Sequence, residues 1–125
     1  MKWLGIDFGL KHIGLSIAEG PLAAPLMEVK FQSSELLVEE IKKEEPDVVV
    51  LGLPEGNLAK KIKELGSLIS KNLKTPVYFQ DETLSTHEAK LKLLAGGARQ
   101  KKRRQDHVAA ATIILQEYLD DHYQD

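Results

Sequence analysis

Apolar and polar positions along this 125-residue chain change their period several times, and each change marks an element. Trp3 to Ala18 is almost wholly apolar but is punctuated by Gly5, Gly9 and Gly14. Glycine lets the backbone turn tightly or be approached closely, so the run predicts a β-hairpin of two strands. Gly20-Pro21 breaks it, and Leu26 to Phe31 then alternates apolar with polar, as a half-buried third strand does. Ser34 is placed to cap a helix whose Leu37, Val38 and Ile41 share one face, with Pro46 as its stop. Asp47 to Pro54 is β-branched and apolar without alternation, the pattern of a parallel strand covered on both faces. From Asn57 to Leu73 apolar residues return at helical spacing. Thr75-Pro76 ends that helix, and Val77-Tyr78-Phe79 is a short strand running into Gln80-Asp81-Glu82. Ser85 with Glu88 forms a capping box, predicting a helix from about Thr86 to Gly96-Gly97. Val108 to Tyr118 carries the last amphipathic face.

Three antiparallel strands followed by alternating helices and strands predict one mixed five-stranded sheet, the later strands added by parallel crossovers, with helices on both faces. That is the architecture of an RNase H-like domain. A chain of this length with 42% hydrophobic residues is expected to form a single domain over 1–125. It has no cysteine, hence no disulfide framework or thiolate metal site. It has no apolar run long enough to span a bilayer and opens directly on a strand, so a soluble, cytoplasmic protein with no membrane partner is expected.

The net charge of -2 does not announce a nucleic-acid binder, but its distribution is uneven. Acidic residues crowd Glu35 to Asp47 and Glu117 to Asp125, whereas Arg99-Gln100-Lys101-Lys102-Arg103-Arg104 is a dense basic run. Such a run is either a solvated loop or a phosphate contact.

Carboxylates at element ends carry the candidate chemistry. Asp7 lies within an apolar strand, where an ionised side chain needs a partner or a metal. Asp81-Glu82 leaves the last strand, at the carboxyl end where open α/β sheets hold ligands. Asp106 opens the last helix, where an N-cap role is the structural alternative. Oxygen donors of this kind suit Mg²⁺ or Mn²⁺, which can activate water and stabilise the leaving oxygen of a phosphodiester. Adjacent residues on an extended segment point to opposite sides, so one of Asp81 and Glu82 can face such a metal. Glu82 is expected, because its side chain reaches farther and Asp81 is the better turn former. The four histidines, His12, His87, His107 and His122, are scattered and read as surface residues.

The segments Gly5-Ile6-Asp7-Phe8-Gly9, Lys11-His12-Ile13-Gly14, Val50-Leu51-Gly52-Leu53-Pro54, Asp81-Glu82-Thr83-Leu84-Ser85-Thr86 and Asp106-His107-Val108-Ala109-Ala110 together resemble the YqgF/RuvX family over nearly the whole chain. The family belongs to the RNase H-like superfamily and is provisionally described as a Holliday junction resolvase and as a nuclease maturing the 5′ end of 16S ribosomal RNA. The resemblance implies catalytic, metal-binding carboxylates at Asp7, at Glu82 or Asp81, and at Asp106. It implies structured RNA or branched DNA as partner, with ribosomal particles as a further one, for a monomer or weak dimer. Lys11, Lys101, Lys102, Arg103 and Arg104 are the expected nucleic-acid contacts. Thr83 stands where the family usually carries Arg, and the loop after Pro54 is shorter than its family counterpart. A non-catalytic nucleic-acid-binding module is the alternative of a different class. An actin-like ATPase, whose fold also opens with Asp-x-Gly, is disfavoured by a length that holds one lobe.

Overall fold

In the computed structural model, which describes residues 1–54, 56–81 and 103–123 (side chains of 103–106 excepted), the first apolar run forms the hairpin of β1 (Trp3–Phe8) and β2 (His12–Ala18). Gly5 pairs with Ser16 and Asp7 with Gly14. The third strand, β3 (Ala24–Lys30), pairs antiparallel with β2. It starts earlier than the alternation indicated and takes in Pro25, which an edge strand tolerates because one row of its amides is unpaired. A register shift between Leu15 and Ser16 absorbs the extra length.

α1 (Ser34–Lys43) is capped by Ser33 rather than Ser34: the Ser33 hydroxyl accepts the Leu36 amide at 3.2 Å. β4 (Val48–Leu53) runs parallel to β1, α2 (Leu58–Leu73) returns along the sheet, and β5 (Val77–Asp81) runs parallel to β4. The strand order is β3-β2-β1-β4-β5, which puts β1 at the centre. The expected mixed sheet is therefore formed. The helix expected from Thr86 to Gly96 lies outside the described residues.

α3 (Arg103–His122) is longer than its apolar face suggested, starting inside the basic run and ending four residues beyond Tyr118. Alternation along each strand sends side chains to two cores. Leu4, Ile6, Phe8, Ile13, Leu15, Val49 and Leu51 pack against Leu37, Ile41, Ile62 and Ile69 of α1 and α2. On the other face, Ala18, Val48 and Val50 pack against Ile114, Leu115, Tyr118 and Leu119 of α3. Burying each large aliphatic side chain contributes about 1.5–3 kcal/mol, so both faces supply substantial stabilisation. β4 is covered on both sides, as its unbroken apolar run required. No described helix is long and apolar enough to cross a membrane.

Candidate active site

The approach of α3 to the hairpin is set by two glycines. A Cβ on Gly5 would meet the Ser16 hydroxyl, with Leu115 Cβ at 2.8 Å and the Ala111 carbonyl at 2.9 Å. A Cβ on Gly14 would run into the backbone of His107 and Val108. Glycine is required at these positions for close approach. Ser16, fully buried, completes the contact by donating its hydroxyl to the Ala111 carbonyl at 2.7 Å. An unpaired hydroxyl there would cost more than the bond contributes, so the contact fixes α3 in register against β2.

Because Gly14 is the cross-strand partner of Asp7, seating the start of α3 on Gly14 brings that helix to the carboxylate. His107 Nδ1 lies 2.8 Å from Asp7 Oδ2, with side-chain exposures of 36% and 14%. With the carboxylate as acceptor, Nδ1 carries the proton in this bond. Gly9 makes room for the same ring: a Cβ there would stand 2.8 Å from its Cε1. The imidazole is thus cradled between the turn after β1 and the Asp7 side chain. The sequence reads His107 as a surface residue, whereas the structure has it half-buried and hydrogen-bonded to Asp7, a partner that reading misses. No spacing rule connects residues 100 positions apart; the available cue was its place directly after Asp106.

The other candidates are placed as follows. Ile6, Leu51 and Phe79 stand in one row across β1, β4 and β5. Asp81, two residues beyond Phe79, shares that row's face, whereas Asp7, one beyond Ile6, points to the α3 face. The structure therefore does not bring Asp81 to Asp7: it is exposed, on the opposite face and two strands away, roughly 10 Å. Glu82 lies outside the described residues. Asp106 falls in the first turn of α3, immediately before His107, and not at its N-cap, because the helix begins three residues earlier. Lys11 is exposed in the connection between β1 and β2, its carbonyl accepting the Phe31 amide at 2.8 Å. Arg103 and Arg104 open α3, while Lys101 and Lys102 lie outside the described residues.

Two further features lie near the end of β1, one on each face of the sheet. Lys61 of α2 extends its ammonium over the rings of Phe8 and Phe31, 5.6 and 5.2 Å from their centroids, which holds a cation at the end of β1. Glu28 of β3 pairs with Gly14, so it stands in the same row as Asp7, and its Oε1 is 3.7 Å from His12 Nδ1. Among the described residues no three His, Cys, Asp or Glu side chains gather as a metal site. The donor chemistry nevertheless suits a hard cation: a half-buried carboxylate, oriented by a hydrogen bond, at the carboxyl end of parallel strands.

Comparisons with known proteins identify the family and the fold. Residues 1–121 match the family described as RuvX, Holliday junction resolvase. A Lactococcus lactis subsp. cremoris protein provisionally named pre-16S rRNA nuclease is 36% identical over 95% of this chain and 94% of its own length. A Dehalococcoides mccartyi protein of the same name is 37% identical, covering 96% of this chain and 92% of its own. Among solved structures, the fowlpox virus resolvase with Holliday junction DNA superposes with a TM-score of 0.71 at 15% identity, covering 99% of this chain and all of that one. Thermus thermophilus RuvC with a Holliday junction substrate gives 0.64 at 18% identity, over 97% and 95% of the two chains. These two similarities show the fold, which is the RNase H-like one expected from the order of elements.

Proposed function

The chain belongs to the RuvX family of Holliday junction resolvases, and from that premise we propose that it is a metal-dependent endonuclease acting in 5′-end maturation of pre-16S ribosomal RNA, in the bacterial cytoplasm. The name shared by its full-length relatives supports the substrate. The single structural observation that supports the chemistry is Asp7, fixed by His107 at the carboxyl end of the central strand. Asp7, Glu82 and Asp106 would hold Mg²⁺ or Mn²⁺. Bound there, the ion would activate water and neutralise charge on the phosphodiester. The protein's own part is to orient Asp7, to exclude bulk water by seating α3 on the hairpin, and to surround the anionic centre with cations.

Those cations are needed because metal-binding carboxylates otherwise repel a phosphate backbone. Lys11, Lys101, Lys102, Arg103 and Arg104 are proposed for that role. Replacing Lys101, Lys102, Arg103 and Arg104 with Gln should weaken RNA binding across sequences and flatten its salt dependence by about 0.7 to 0.9 per lost phosphate contact. Binding titrations over a salt series check this, and an unchanged slope would make the run a solvated loop.

The proposal is tested by incubating the purified protein and Mg²⁺ with a 16S precursor bearing its 5′ leader, and in parallel with a four-way DNA junction. Cleavage at one position in the RNA leader is expected. Resolution of branched DNA is the second reading, favoured by the junction-bound neighbours of the same fold. Faster cutting of the junction than of the RNA would select it. The same assay assigns the second carboxylate: since Asp81 faces α2, Glu82→Gln should lower the rate about 100-fold or more, and Asp81→Asn by less than about 5-fold. A larger loss for Asp81→Asn would reverse the assignment.

A further inference from the structure

The bond between His107 and Asp7 has a consequence for metal binding that rests on the reading above and extends it. A carboxylate on a strand can rotate about χ1 and χ2, and a metal is held well when one rotamer is held in advance. Here the rotamer is constrained from three directions. The Asp7 backbone is paired to Gly14, the His107 backbone is seated on that same Gly14, and the His107 ring lies over Gly9. With the ring unable to swing toward the turn without meeting Gly9, its Nδ1–H is directed at Asp7 Oδ2.

We infer that His107 is a positioning residue for the metal: it occupies Oδ2 of Asp7 and thereby presents Oδ1 as the ligand atom. Its action runs through Asp7 and includes no contact with the ion. Partners that orient a ligating side chain typically account for 10- to 100-fold in metal affinity, which sets the expected size. The residue also links the two parts of the site, because α3 carries both His107 and Asp106 while β1 carries Asp7.

The probe is Mn²⁺ alone, titrated into the full-length protein, with bound ion followed by electron paramagnetic resonance and the fold followed by thermal melting in EDTA. His107→Ala deletes the ring at a position already 36% exposed, so the helix should remain folded. It should bind Mn²⁺ about 10- to 100-fold more weakly than the wild type. His107→Asn can place a side-chain N–H near the position of Nδ1–H and should recover most of that loss. A purely packing role would leave both variants equal, and an imidazole bound to the ion itself would show as a nitrogen coupling in the resonance of bound Mn²⁺, which a positioning role lacks.

Wild-type affinity in His107→Ala, or no recovery in His107→Asn, would overturn the inference. Failure of the underlying reading looks different: it would appear as wild-type protein that binds no Mn²⁺, or as undiminished binding by Asp7→Asn.

Discussion

Asp7→Asn should lower phosphodiester cleavage by about 1000-fold or more while leaving the fold in place. The carboxylate is asked to supply several kcal/mol of metal and transition-state stabilisation, and each 1.36 kcal/mol corresponds to about a factor of ten in rate. Stability in EDTA should hardly change, because two effects oppose each other. Asn still accepts the His107 Nδ1–H, but a charge-assisted bond becomes a neutral one, costing about 1 kcal/mol. Against this, removing an anion with only 14% of its side chain exposed relieves desolvation. Wild type and variant should separate once Mn²⁺ is added. At 100 times its dissociation constant, a ligand that binds only the folded state stabilises it by about 2.7 kcal/mol, and Asp7→Asn should lose that increment. Melting curves with and without Mn²⁺, alongside cleavage rates, check both halves, and full activity in a highly purified Asp7→Asn sample would remove Asp7 from the mechanism.

How much of this was legible in the chain depends on the range of the interaction concerned. Period and punctuation are local, so β4's unbroken apolar run and the hairpin glycines led directly to a mixed sheet, whereas the central place of β1 follows from the strand order in the structure. Boundaries were less legible where two cues compete. Ser33 and Ser34 are both good caps, and the capping bond to Leu36 chose the first. Asp106 reads as the opening of the last helix, with a cap as its structural alternative because Asp is favoured there, yet arginine and glutamine are adequate helix formers and α3 extends through them to Arg103. The contact between His107 and Asp7 left no trace in the pattern beyond the place of His107 directly after Asp106. It is created by strand register and by missing Cβ atoms at Gly9 and Gly14, neither of which a pattern of residue types records.

The same glycines explain how a chain of this size can hold the proposed site accurately. β1 and α3 are far apart in sequence, and loops alone would position their side chains poorly. Instead the helix backbone rests on the strand backbone at Gly14, and at Gly5 the Ser16 hydroxyl pins the next turns through Ala111. Ala110, Ala111 and Leu115 are buried in that contact, so the helix cannot slide without exposing apolar surface. Precision at Asp7 is thus a packing property of the β2–α3 interface.

Gly14→Ala should therefore damage both stability and rate, by an amount out of proportion to one methyl group. The added Cβ would collide with the backbone of His107 and Val108, atoms that cannot rotate away as a side-chain tip can. Overpacking of this kind costs about 1–3 kcal/mol, and the upper end is expected because the obstructing atoms are backbone. For a domain of this length that corresponds to a fall of roughly 10 °C in Tm. Relief by outward movement of α3 would carry His107 and Asp106 away from Asp7, and a displacement near 1 Å can lower a rate about 100-fold. The rate loss should persist well below the new Tm, where the variant is fully folded. Gly20→Ala is the matching control, since a Cβ at Gly20 meets nothing within 4 Å, and it should leave both Tm and rate at wild-type values. If Gly14→Ala instead melts and cleaves like the wild type, α3 is not seated on the hairpin, and the alignment of His107 with Asp7 must come from elsewhere.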